Sequence, residues 1–226
     1  MERDRALRQV AIIGLGRFGT ALAQHLAARG HEVFGIDCEE AAVQRAKDLV
    51  THAMQVELYD PALVRELGLD EVDVAVVAIG ADAEASILTT AVLLEAGVRY
   101  VVARANTALH GMILERVGAH RVVYPEAETG ETLAHSLRAP GITAYVHLGP
   151  DIGIATLRAP EAWLGRSLAD LYHDGQYPLV VLVIQRGDET LAEPAPEERI
   201  QAGDYLALLV QESKLDDLRL RGPLDR

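Results

Sequence analysis

Aromatic side chains are scarce in this chain of 226 residues, at 4% of the total, although 50% of it is hydrophobic. A core without rings is built from Val, Leu, Ile and Ala, which suits a parallel sheet packed between alanine-rich helices. Cysteine is almost absent. Cys38 stands alone, which excludes a disulfide framework or a cysteine zinc site within one chain. Basic residues are outnumbered by acidic ones, 21 to 34, for a formal net charge of −13. That deficit argues against nucleic acid as a partner, because phosphate backbones are held by Lys and Arg surfaces. It also opposes electrostatic attachment to an anionic membrane. No run approaches the ~18 consecutive apolar residues of a membrane helix. The opening Met1-Glu2-Arg3-Asp4-Arg5 is charged and runs straight into a strand pattern, unlike a secretory leader. A cytoplasmic location is expected, and the length suits two modest domains.

What is present is concentrated near the start. Val10-Ala11-Ile12-Ile13 reads as a buried strand, Gly14-Leu15-Gly16-Arg17-Phe18-Gly19 as a glycine turn opening a helix, and Asp37 closes the strand that follows. This is a dinucleotide-binding fingerprint in its proper context. Gly14 permits the tight turn, Gly16 lets backbone approach a pyrophosphate, and Gly19 lets helix pack closely on strand. The phosphates would face the free N–H groups and the positive dipole end of the helix beginning near Arg17. Asp37 stands at about the 20-residue offset of a ribose-hydroxyl acceptor, and its charge would repel the 2′-phosphate of NADP.

Strand and helix patterns then alternate. Helical character is expected over Thr20–Arg29 with Gly30 as its stop, and over Asp37–Asp48; Thr51–Met54 is expected as a short buried strand. Asp60-Pro61 caps a further helix, Val72–Ile79 is the clearest interior strand, and Ala83–Glu95 is a helix stopped by Gly97. Tyr100–Ala103 and Arg121–Tyr124 are strands, with helices at Leu109–Val117 and Glu126–Arg138. The order predicts a Rossmann-like, doubly wound parallel sheet with right-handed crossovers. After the breaker Ala139-Pro140-Gly141 the pattern changes to strands at Ile142–His147, Gly153–Arg158, Leu179–Gln185 and Tyr205–Val210, with a hairpin turn at Arg186–Glu189 and another turn at Gly203-Asp204. The expectation is an α/β nucleotide-binding domain over residues 1–138 and a small α+β domain over 139–226.

Several stretches resemble the cytoplasmic regulatory subunits of bacterial potassium uptake systems of the Ktr and Trk type. They are the glycine loop with Asp37, Thr51-His52-Ala53, Val76–Gly80, Ser86–Thr90, Ala103-Arg104-Ala105-Asn106 and Gly118–Glu126 with Thr129-Gly130. In the second half Leu164–Leu168 and Gly203–Leu206 look like that family's companion domain. The resemblance implies a homo-oligomer, in which domains pair as dimers and the pairs form an octameric ring beneath a membrane potassium-translocating subunit. ATP and ADP would compete for the glycine loop and shift the ring between states through their differential affinity.

The same resemblance frames the site residues. Arg17 within the loop, followed by Phe18, is placed to reach a terminal phosphate. Arg104, ending a strand at the ligand-binding edge, is a second phosphate candidate; the alternative is a salt bridge with a helix acid. Ala78, Ile79 and Gly80 end the fourth strand at the switch-point crevice, with Ile79 as an apolar wall and Gly80 open to close approach. At the adenosine end, Cys38 follows Asp37, and Glu57 stands where the family shows small polar residues. Cys38 is read as a small strand-end residue, because no thiolate-stabilising cluster surrounds it. Glu126 is implied as a ligand of Mg2+ or Ca2+, whose shell phosphate and water would complete. Some relatives bind cyclic di-AMP on the companion domain, but this chain carries Tyr177-Pro178 where they often carry Tyr-Gly. The eight histidines form no metal motif; most are expected at or near the surface, with His52 close to the nucleotide. No proton-transfer pair is evident, so a regulator is expected rather than an enzyme. The alternatives are an NAD(H)-binding regulator and an NAD-dependent oxidoreductase.

Overall fold

The computed structural model describes residues 9–138, 141–173 and 179–213. Met1–Arg5, Ala139-Pro140 and Tyr177-Pro178, which figure in the sequence reading, lie outside them. The chain divides into two compact units, residues 1–126 and 127–226.

In the first unit, β1 (Gln9–Ile13), β2 (Glu32–Asp37), β3 (His52–Gln55), β4 (Val74–Val77), β5 (Val101–Arg104) and β6 (Arg121–Val123) form one sheet. Its order is β3-β2-β1-β4-β5-β6, and every pairing is parallel. The crossovers are α1 (Arg17–Ala27), α2 (Glu40–Ala46), α3 (Pro61–Glu66), α4 (Ala83–Ala96) and α5 (Ala108–Val117). A further helix, α6 (Pro125–Arg138), follows β6. Strand side chains alternate between faces, and both faces are covered. Val10, Ile12, Val33 and Val76 pack with Ala23 of α1 on one side. Ala11, Ile13, Ile36, Ala75, Val77 and Val101 pack with Leu93 and Leu114 on the other. The strand order reverses between β1 and β4, which opens a crevice beyond their C-terminal ends.

Helix ends follow local chemistry. Asp60 caps α3 by accepting from the N–H of Ala62 at 2.8 Å, with Pro61 in the first turn. Asp82 accepts from Ala85 N–H at 3.0 Å to open α4, and Gly97, at φ +102°, closes it. Three expectations are corrected. The first helix ends at Ala27, ahead of Gly30. The second begins at Glu40 rather than Asp37, because the Asp37 carboxylate accepts from Glu39 N–H at 2.9 Å and holds an extended turn before it. Finally, β3 is an edge strand with His52 and Gln55 exposed, not a buried one.

The second unit is a five-stranded antiparallel sheet. Strands β7 (Ile142–Gly149), β8 (Ile152–Arg158), β9 (Leu179–Arg186), β10 (Glu189–Ala192) and β11 (Tyr205–Val210) take the order β10-β9-β11-β8-β7. Helix α7 (Leu168–His173) and a short 3-10 turn at Glu161–Trp163 accompany it. Trp163, Leu168, Leu171, Ile184, Leu206 and Leu208 fill its core. The hairpin turn at Arg186–Glu189 forms as expected. Both β10 and α7 are additional to the elements expected from the sequence. Ser167 and Asp170 cap α7 reciprocally, each side chain accepting the other's N–H at 3.1 Å, which is a signal the sequence does carry.

Polar chemistry also holds this unit together. Arg186 donates from Nε and Nη2 to the two carboxylate oxygens of Asp204, both at 2.9 Å, and from Nη1 to Glu198 at 2.9 Å. The Asp204 side chain is fully buried and also accepts from Gln201 N–H at 2.9 Å. The Arg186 hydrogen bonds hold its carboxyl below the ordinary value of 3.8. Asp204→Ala leaves Arg186 without its main partner and should destabilise the second unit by about 3 kcal/mol in denaturant melts. Because the folded pKa is depressed, the contribution of Asp204 is complete above its unfolded pKa. It should be lost as pH falls below about 4 and through the folded value; wild type and variant should therefore converge in stability in acid.

Candidate nucleotide site

The glycine loop occupies the crevice at the ends of β1 and β4. Gly14, at φ +100°, turns the chain where an L side chain would be strained. Its N–H donates to the Ile36 carbonyl at 2.8 Å, and a Cβ on it would stand 3.1 Å from the backbone of Ala78 and Ile79. Gly16 forms the N-cap of α1 with extended backbone and no side-chain cap. Nothing lies within 4 Å of where its Cβ would be. The first N–H groups of α1 are therefore open to an anion. At Gly19 the opposite holds: a Cβ would fall 1.9 Å from the Gly14 carbonyl oxygen. Gly14 makes the tight turn and Gly19 the close helix–strand approach expected of them.

The Asp37 carboxylate has a structural task that local sequence does not announce. One carboxylate oxygen accepts from Leu15 N–H at 2.6 Å, and the other from Glu39 N–H at 2.9 Å. The end of β2 thus clamps the middle of the glycine loop, and the carboxylate retains lone pairs for a further donor. Beside it, Cys38 is exposed and free. Loss of solvent, then the charges of Asp37 and Glu57, push its thiol above the usual range, so the thiolate is disfavoured. Glu57 itself is exposed. Gln55, which the sequence reading passed over, donates to the Cys38 carbonyl at 3.1 Å. His52 lies elsewhere. It pairs in register with Phe34, stacks on its ring at 4.8 Å and faces Glu32 at 3.2 Å, toward the opposite ends of the strands. His110 is buried, at 5% exposed.

The distal side of the crevice is built around Arg104. Its guanidinium carbon lies 5.7 Å from the centre of the Phe18 ring. Nη2 donates to a Glu126 carboxylate oxygen at 2.5 Å. The guanidinium also fills the space over Gly80, where a Cβ would stand 2.5 Å from Nη1. Asn106, a second residue the sequence reading gave no role, donates to the Gly80 carbonyl. Ala78 is buried beneath the loop, 3.2 Å from the position of a Gly19 Cβ, and Ile79 borders Gly14. Arg17 is exposed at the first position of α1, with no partner among the described residues. The structure therefore brings together the loop, Asp37, Cys38, Glu57, Ile79, Gly80, Arg104 and Glu126 along one sheet edge.

No three His, Cys, Asp or Glu side chains among the described residues group as a metal site. Glu126 is a single, largely exposed carboxylate, so it suits one position of a mixed shell completed by phosphate and water rather than a protein cage.

A domain model described as the TrkA-N domain matches residues 10–125. The chain is 31% identical over 202 residues to the Ktr system potassium uptake protein C of Bacillus subtilis, covering 89% of this chain and 91% of that protein. It is 31% identical over 208 residues to the Ktr system potassium uptake protein A of Vibrio alginolyticus, covering 92% and 94%. Among solved structures, the GsuK channel bound to NAD superposes with a TM-score of 0.63 at 15% identity, over 99% of this chain. This chain spans 41% of that channel. The TrkA-N domain of the inner membrane protein ybaL from Escherichia coli gives 0.52 at 18% identity, over 59% of this chain and 98% of that one. Both likenesses concern the fold. A Gly19→Ala substitution forces the methyl onto the Gly14 carbonyl and must lift α1 from the sheet. It should lower the melting temperature of the first unit, whereas Gly16→Ala, in open space, should leave it nearly unchanged.

Proposed function

This chain belongs to the TrkA-N domain family, as a regulatory subunit of the Ktr/Trk type of potassium uptake system, and from that premise we propose that it senses ATP and ADP and gates a membrane potassium-translocating partner. One observation carries the nucleotide assignment: the α1 N-terminus is open at Gly16, with Arg17 exposed at its first position and Arg104 held over Phe18 in its first turn. Open N–H groups and the helix dipole favour a pyrophosphate. Guanidinium groups beyond it favour a further terminal phosphate. Asp37, already fixed on Leu15 N–H, offers its remaining lone pairs to the ribose hydroxyls.

In this reading Gly14, Gly16, Arg17, Phe18 and Gly19 hold the phosphates with Arg104, and Ile79 and Gly80 line the crevice over the buried Ala78. Cys38 and Glu57 border the adenosine. Glu126 is one ligand of a Mg2+ or Ca2+ ion that neutralises phosphate charge. Regulation needs only differential affinity of the two nucleotides for two assembly states, not turnover. The subunit acts in the cytoplasm, through a homo-oligomer built of dimers, as an octameric ring against its membrane partner. No described helix is long and apolar enough to cross a membrane. The two-domain division proposed is residues 1–138 for the regulator and 139–226 for its companion.

Binding of ATP, ADP, NAD+ and NADH to nucleotide-stripped protein, by calorimetry, tests the reading. Micromolar or tighter ATP and ADP binding is expected. Tight NADH binding with no response to ATP would replace the ligand, and substrate-dependent NADH oxidation would overturn the non-enzymatic assignment. Asp37→Ala should weaken every adenosine nucleotide by about 1.5 to 3 kcal/mol; unchanged affinity removes it from the site. Glu126→Gln should blunt the gain that Mg2+ adds to ATP binding, and an equal Mg2+ response in both proteins counts against the cation role.

A further inference from the structure

Two anions have a claim on one guanidinium. Arg104 is the built-in member: its side chain is 16% exposed, set over Phe18 and against Gly80, with Nε buried and unpartnered among the described residues. Glu126 is the removable one. Its side chain is 63% exposed, and it is held by Arg104 Nη2. Releasing it costs little, since water regains the carboxylate, whereas moving Arg104 would open the space over Gly80 and strip its ring contact.

We propose that Glu126 is a resident competitor for Arg104, occupying the guanidinium face that a nucleotide's terminal phosphate takes and so setting the preference among adenosine ligands. The proposal rests on the nucleotide reading of the glycine loop. Arg104 presents a planar fork that a phosphate engages through two parallel hydrogen bonds. A terminal phosphate carries nearly two charges against the carboxylate's one, so it displaces Glu126. The pyrophosphate of NAD+ is a diester and has no terminal phosphate. It leaves the Arg104–Glu126 pair closed. The carboxylate thus subtracts affinity only from ligands that need Arg104, and it becomes free for other contacts only once such a ligand is seated.

The test compares wild type with Glu126→Gln in EDTA at low ionic strength, using ADP, ATP and NAD+ as probes. Because the pair is half in solvent, ATP should tighten by roughly two- to fivefold in the variant, ADP and NAD+, which carry no phosphate beyond the pyrophosphate, should not change, and added salt should close the gap. In an Arg104→Gln background the same Glu126→Gln change should have no effect. Unchanged melting temperature of Glu126→Gln would separate the result from a loss of fold. Equal tightening of all three ligands, or none for ATP, overturns the competition. If Asp37→Ala still weakens ATP in that case, the nucleotide reading stands without it. Absence of ATP and ADP binding to wild type overturns both.

Discussion

The approach of two backbones, α1 onto the end of β1, sets everything at the candidate site. A Cβ at Gly19 would stand 1.9 Å from the Gly14 carbonyl oxygen, so the helix sits closer to the sheet than any residue with a Cβ would permit. That closeness brings the open N–H groups of the helix start to the crevice floor and places Phe18 where Arg104 stacks on it. The Asp37 carboxylate then fixes the loop from the neighbouring strand through Leu15 N–H. Without the contact at Gly19, the clamp would have nothing to hold and the guanidinium would lose its ring.

The parts of this arrangement that were legible in the sequence are those where identity alone dictates geometry. Glycine at 14, 16 and 19 announces itself by having no Cβ, and Asp60-Pro61 and Asp82 announce caps. Alternating Val, Ile and Ala runs separated by helical stretches leave few parallel topologies to choose from. What escaped were pairings between distant positions. A salt bridge from Arg104 to a helix acid is an alternative the sequence leaves open, but nothing near Arg104 says that the acid is Glu126, 22 residues on. The Arg186–Asp204 pair joins residues 18 apart, and Gly203-Asp204 reads locally as a turn. His52 misled for a different reason. Its strand was identified, but the register that sends its ring to the far ends of the strands is a property of the sheet.

Charge has a local meaning here that the net value conceals. The chain carries −13 overall, yet arginine stands on the rim of the crevice, and the nearest acid on the distal side is engaged by Arg104. The acidic surplus opposes phosphates over the general surface, whereas at the proposed site the helix start and Arg104 would favour them. Open helix N–H groups beside Arg104 on an acidic body favour a compact anion over a polyanion. That fits a member of a nucleotide-binding regulatory family better than a nucleic-acid partner.

The scarcity of rings has a practical side. The chain has one tryptophan, and Trp163, 1% exposed, lies in the core of the second unit with Leu168, Leu171 and Ile184. Its emission therefore reports on the packing of that unit alone. The parallel-sheet unit contains no tryptophan, so heating or acidifying the whole protein yields a fluorescence trace from one half and a far-ultraviolet dichroism trace from both. The difference between the two is an intrinsic, label-free measure of whether the halves melt together.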